Sequence, residues 1–233
     1  MTRLVRFVIL ILALTPFPAA ADQSLPDPRT SMFGPGRDDI DWAEATVKGN
    51  LRYIVGEPGQ TGEVPIVVQN IGDEPIENLR LRIVWRDGND RSVDEAAWVY
   101  PKVLKPGQFG ITGGSNSVTG STFPMDFGEI SVYPVTTSDP IMDGRRTLKL
   151  QSGHLSDSGR FEASVINTSN EDVQNIWVHW ICVERSGFVV RYGYDAINDI
   201  RVLRAGDKEQ VVVRLNEACA DGYLIDAEGM VRD

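Results

Sequence analysis

The longest unbroken apolar run in the chain comes at its start: Phe7 to Leu14, preceded by Arg3 and Arg6 and followed by Ala19-Ala20-Ala21. Basic, apolar and small-residue stretches in that order form a secretory signal peptide. The run is well short of the roughly 18 to 20 residues that cross a bilayer, and Pro16 and Pro18 end any helix begun in it. Residues 1–21 are therefore expected to be a cleaved signal that leaves no membrane anchor. No cysteine follows the cut to carry an acyl group and no paired arginines precede the run, so general secretory export to the periplasm or beyond is the expected route.

Beyond residue 21 the pattern changes to a period of two. Leu79, Leu81, Ile83 and Trp85 alternate with Arg80, Arg82, Val84 and Arg86, giving a strand with one core face and one wet face. Asp87-Gly88 then predicts a tight reversal into a strand from Ser92 to Val99, and Pro106-Gly107 leads into another ending near Ile111. Short runs rich in Val, Ile, Trp and Tyr, separated by Gly, Asn, Asp and Pro, continue to the end, and no segment has a sustained helical period. The fold class is all-β.

The strand pattern repeats at an offset of 97 residues. Leu51, Gly56, Gly62, Val68, Asn70, Glu74 and Asn78 meet Leu148, Gly153, Gly159, Val165, Asn167, Glu171 and Asn175. Glycine and asparagine are turn formers, so the repeat keeps chain reversals as well as apolar positions. The offset drifts to 99 where Leu104-Lys105-Pro106-Gly107 faces Leu203-Arg204-Ala205-Gly206. In the second copy Ile176, Val178, Trp180 and Cys182 point inward, followed by strands at Phe188 to Tyr194 and Val211 to Leu215. Closing strands at Gly128 to Val135 and Tyr223 to Ala227 bring each copy to about seven. The predicted organisation is a signal peptide (1–21), a flexible N-terminal segment (22–44), a β-sandwich (45–136), a polar linker (137–144) and a second β-sandwich (145–233).

Val68-Gln69-Asn70-Ile71-Gly72, an alternating strand ending in Asp87-Gly88, and Leu104-Lys105-Pro106-Gly107 resemble bacterial immunoglobulin-like modules of the FxLYD and CARDB kind. The second copy, from Val165-Ile166-Asn167-Thr168-Ser169 to Leu203-Arg204-Ala205-Gly206, is similar but has Ala205 in place of the proline. The resemblance implies two tandem immunoglobulin-like β-sandwich domains outside the cytoplasm with a binding or scaffolding role, and it brings no catalytic residues.

Charge narrows the partners. The chain carries a net charge of −10, and loss of Arg3 and Arg6 with the signal takes the remainder to −12. Such a protein has no general affinity for nucleic acid or anionic lipid, both of which need clustered cations. Cys182 and Cys219 are the only cysteines, and in an exported chain they are expected to form one structural disulfide.

Candidate chemistry is sparse. His154 and His179 match no metal-binding spacing, and His179 faces away from Cys182 on its strand, which disfavours a Cys-His nucleophile pair. Gly113-Gly114-Ser115-Asn116-Ser117 misses the hydrolase elbow, and Gly113 to Thr122 lacks the lysine of a phosphate loop, so it reads as a mobile inter-strand loop. Asp87-Gly88-Asn89-Asp90 fails the calcium-loop pattern at Arg91 and Ser92 and reads as a hairpin tip. Asp38, Asp39, Asp41 and Glu44 read as a solvated acidic segment, with calcium as the alternative. Asn167-Thr168-Ser169 fits a glycosylation pattern, but Asn167 already matches the turn residue Asn70. No catalytic residue, metal or cofactor is expected.

Two surfaces remain. Arg80, Arg82 and Arg86 form a basic ridge, which cross-strand acids such as Glu95 could neutralise. Trp177, His179, Ile181 and Val183 make an outward strand face apolar enough to need a cover: the first domain, a loop, a second copy of the chain, or a partner. The reading is a non-enzymatic periplasmic or secreted protein that contacts another envelope or secreted protein as an assembly, accessory or scaffolding factor, with homo-oligomer formation open. The alternative is a carbohydrate-binding module stacking sugars on Trp42, Trp98 and Trp177.

Overall fold

The computed structural model of the chain describes residues 40–57, 63–87, 92–115, 127–136, 144–215 and 219–232. The expected signal peptide, the segment up to Asp39, the tip Gly88-Asn89-Asp90 and residues 137–143 of the linker lie outside the described residues. What is described is mostly β-structure, with a short 3₁₀ turn at Trp42–Glu44.

The first copy of the repeat supplies β1 (Thr46–Lys48), β2 (Leu51–Val55), β3 (Glu63–Asn70), β4 (Ile76–Glu77), β5 (Leu79–Asp87), β6 (Ser92–Trp98), β7 (Val103–Leu104), β8 (Phe109–Ser115) and β9 (Phe127–Thr136). They form a sheet of order β1-β2-β3-β8, a sheet of order β6-β5-β9, and a small ladder of β4 with β7. The two larger sheets enclose Leu51 and Tyr53 of β2, Val64, Ile66 and Val68 of β3, and Leu79, Leu81 and Ile83 of β5. The period-two alternation around Leu79 thus points its apolar face into a core, as two packed antiparallel sheets require.

The second copy supplies β10 (Arg145–Leu155), β11 (Arg160–Ile166), β12 (Val173–Val183), β13 (Val189–Ile197), β14 (Lys208–Arg214) and β15 (Tyr223–Val231). Pairing runs β13-β12-β15-β10-β11-β14. The two leaves share β10: Arg145 to Leu148 pair with β15, and Lys149 onward pair with β11. One strand serving both leaves is why six described strands suffice where about seven were expected. The enclosed core takes Leu150, Phe161, Val165, Val178, Trp180 and Ile225 from both leaves. Cys182 and Cys219 are fully buried in it and disulfide-bonded, closing a separation of 37 residues.

The two copies share a topology. The order β2-β3-β8 matches β10-β11-β14, and β6-β5-β9 matches β13-β12-β15. The repeated asparagines do the same work in each. Asn70, fully buried, donates its amide to the carbonyls of Glu74 (2.7 Å) and Leu104 (2.8 Å) and accepts from the Gly72 N–H (2.9 Å). Asn167 donates to Glu171 (2.7 Å) and Leu203 (3.0 Å) and accepts from the Ser169 N–H (3.1 Å). Each pins the turn after its strand to the loop that carries Gly107 or Gly206. The glycosylation pattern at Asn167 therefore reads as a structural turn.

The sandwiches stack face to face, making four layers of sheet. The outer face of β2-β3-β8 lies on the outer face of β12-β13-β15, and the seam between them buries Val67, Ile111, Ile181, Val183, Val189 and Leu224. Two glycines allow this approach. A Cβ on Gly56 would lie 2.0 Å from the Val189 carbonyl oxygen, and one on Gly113 would lie 2.1 Å from the Tyr192 ring. Gly113 and Gly114 therefore belong to β8, which continues past Ile111 to Ser115, and correct the expectation of a loop from Gly113; residues 116–122 of that stretch lie outside the described residues. The end of the segment expected to be flexible is also placed against the seam. Ile40 is buried in it, the Asp41 N–H donates to the Gly187 carbonyl at 3.2 Å, and Trp42 stacks on Phe109.

Candidate functional site

Sequence reasoning singled out one strand face, Trp177, His179, Ile181 and Val183 on β12. The structure splits it. Ile181 and Val183 are fully buried in the seam and His179 is 5% exposed, so the first sandwich is the cover for three of the four. They are not a free surface. Trp177 stays half-buried at the edge of the cover and leans on Tyr194, its ring centroid 5.8 Å away. Tyr194 itself is 59% exposed.

Where His179 enters the seam, five residues converge that the sequence did not single out. His179 Nδ1 is 2.9 Å from the Tyr192 hydroxyl, and Nε2 is 3.4 Å from Glu228 Oε1. The Tyr100 ring from the first sandwich lies flat on the imidazole, with centroids 3.9 Å apart and planes within 11°. Arg145 from the start of β10 donates to both the Glu228 carboxylate and the Tyr100 hydroxyl. Asp226, directly across from His179 in the β12-β15 pairing, is buried alongside. Nε2 makes no hydrogen bond among the described residues, Tyr100 closes the histidine's face, and the group sits inside a packed interface. Through Tyr100 its contacts join the two sandwiches. No sequence signal linked the members, which come from β10, β12, β13, β15 and the bend after β6.

The cluster leaves a measurable trace on Tyr100. Burial and, second, the Glu228 carboxylate push its phenol up from an ordinary 10.0 to about 12, against a smaller downward pull from Arg145. The unfolded chain therefore gives up this proton first as pH rises. The contribution to stability is intact below pH 10.0 and is lost as pH climbs through about 12. The expected size is roughly 2–3 kcal/mol. Denaturation of the wild type and of Tyr100→Phe across this range should show the stability gap between them shifting against the wild type by that amount. A gap that does not move with pH would refute the assignment.

The arginine ridge is also partly absorbed. Arg80 lies over the Trp98 ring, 5.1 Å from its centroid, while Arg82 is exposed; the side chain of Arg86 lies outside the described residues. Register puts Ala96 opposite Arg82 and Glu95 opposite Ile83, one position along the neighbouring strand. The three tryptophans considered for sugar stacking do not share a groove. Trp42 sits under Arg52 (4.1 Å) and Trp98 under Arg80, both packed against the seam, and Trp177 is on β12.

Two clefts draw residues from both sandwiches. One, of about 700 Å³, lies where Tyr53 to Glu57 meets the turn from Glu184 to Val190; Asp41, Glu44, Glu57 and Glu184 give it an acidic rim around the 56%-exposed Phe188. Asp41, from the acidic cluster noted in sequence, caps the 3₁₀ turn by accepting from the Ala43 N–H at 2.9 Å; Asp38 and Asp39 lie outside the described residues. The other, of about 590 Å³, is basic and runs along the start of β10.

No protein-family model matches the sequence, and no curated protein is similar to it. Of the resemblance to FxLYD and CARDB modules, what stands is an all-β sandwich fold. Among solved structures, the tandem CBM22-1-CBM22-2 domain from Paenibacillus barcinonensis Xyn10C aligns over 82% of this chain and 89% of its own at 12% identity, with a TM-score of 0.13. A likeness at that score carries no argument about either fold or ligand.

Proposed function

We propose that this is a non-enzymatic exported protein that works by protein contact, as an assembly, accessory or scaffolding factor of the cell envelope. The observation that carries this reading is the uncovered remainder of the β12 face. The seam takes up His179, Ile181 and Val183, yet Trp177 and Tyr194 continue the same sheet face outside it, with Tyr194 59% exposed. Large aromatics on a rigid sheet are the residue type enriched where proteins dock. Rigidity comes from the apolar seam and its Arg145–Glu228 pair, which fix the patch relative to the rest of the molecule. The signal-like start of the chain and the buried disulfide support export.

The test is co-purification from native envelopes with the mature protein as bait, comparing wild type with Tyr194→Ser, a change at an exposed side chain that leaves the core untouched. One protein recovered reproducibly by the wild type and lost from the variant is the expected result. Recovery of glycan fragments without protein would replace this reading with the carbohydrate-binding alternative.

A further inference from the structure

The basic groove is out of keeping with the rest of the molecule. On a chain of net charge −10, Lys102, Lys105, Arg145, Arg146 and Lys149 line one depression, and Glu77 is the single acid among its lining residues. Arg145 pairs with Glu228 and Arg146 with Glu171, both from outside the groove. Lys105, at the exposed turn after β7, and Lys149 on β10 have no acidic partner among the described residues. The first of these lysines belongs to one sandwich and the second to the other, so the seam is what brings them together. At about 590 Å³ the groove is within the range of ligand-binding clefts.

We infer that this groove binds an acidic, extended segment of a partner polypeptide. The inference rests on the protein-contact reading above and adds a second point of attachment to it. Cations from both walls meet carboxylates on the segment, and such charge complementarity sets partner choice and encounter rate more than raw affinity. The floor is aliphatic, formed by Pro101, Val103 and Leu148, while Gln108, Thr147 and Thr168 offer polar atoms to a peptide backbone. No aromatic side chain is among the lining residues, so a sugar ring has no surface to stack on. That favours an acidic peptide over an acidic glycan. Arg145 belongs both to this groove and to the seam cluster, so an occupied groove bears directly on the residue that joins the sandwiches.

The experiment uses the intact mature protein and fluorescence anisotropy of a labelled peptide of alternating Glu and Leu, with unlabelled polygalacturonate and inorganic phosphate run as separate ligands by calorimetry. Lys105→Glu/Lys149→Glu should weaken peptide binding by about tenfold or more, and salt should weaken it in the wild type. Arg204→Glu/Lys208→Glu changes net charge equally at exposed positions outside the groove and should leave affinity within about twofold. Equal losses in both double variants, or absence of peptide binding, would overturn the inference. So would binding of polygalacturonate or phosphate in the absence of peptide binding. A co-purified partner that is lost from Tyr194→Ser but kept by Lys105→Glu/Lys149→Glu would remove the groove and leave the protein-contact reading standing.

Discussion

Replacing Cys182 and Cys219 together by alanine should lower the free energy of unfolding by about 4 kcal/mol, since their bond closes a separation of 37 residues and removes that loop's freedom from the unfolded chain. Both sulfurs lie in the core of the second sandwich, with Cys182 at its last inward position on β12 before the turn into β13. Cys219 lies between β14 and β15, so the bond ties this connection to the strand that β15 pairs with. The effect should reach beyond one sandwich, because the other face of β12 and β15 is the floor of the seam. Urea unfolding with and without reductant is the measurement. Reductant should destabilise the wild type and leave the alanine variant unchanged; a loss below about 1 kcal/mol would mean that packing alone holds the β14-β15 connection.

Much of the fold could be read from the chain because a sandwich core imposes a simple rule on its strands. Leu79, Leu81 and Ile83, and later Val178, Trp180 and Cys182, obey the two-residue period, and the structure puts each set inside. The repeat was legible for a related reason. Asn70 and Asn167 each make hydrogen bonds that an aliphatic residue cannot, so the turn chemistry stayed while surrounding side chains drifted. What misled was glycine. Gly113-Gly114 has the composition of a loop, but there the missing side chain makes room for Tyr192 from another sheet.

The seam was harder to read, since it depends on which two outer faces meet. A signal was present in Val64-Pro65-Ile66-Val67-Val68, an apolar stretch with no alternation, as expected of a strand buried on both faces. Val64, Ile66 and Val68 indeed enter the first core while Val67 enters the seam. The face on β12 from His179 to Val183 carries the matching signal, and pairing the two runs would have pointed to a stacked arrangement. The ionic cluster could not be found this way. Arg145 and Glu228 are 83 positions apart and meet only because β10 switches leaves, and Tyr100 reaches them only once the sandwiches are stacked.

That ionic cluster is where a single side chain should matter most. Glu228→Ala is expected to cost about 3 kcal/mol, because it leaves the Arg145 guanidinium in the seam without its carboxylate. Arg145 keeps 21% of its side chain exposed, so water relieves part of the penalty and the full range for a sealed pair is not reached. His179 loses the carboxylate that lies 3.4 Å from Nε2 in the same change. Glu228→Gln retains an oxygen there and should cost noticeably less. Arg145→Met in the Glu228→Ala background tests the cause directly. Removing the stranded charge should restore part of the lost stability, giving a double-mutant coupling above about 1 kcal/mol. Urea denaturation of the four proteins supplies the cycle, and strictly additive costs would show that Glu228 acts through packing rather than through its charge.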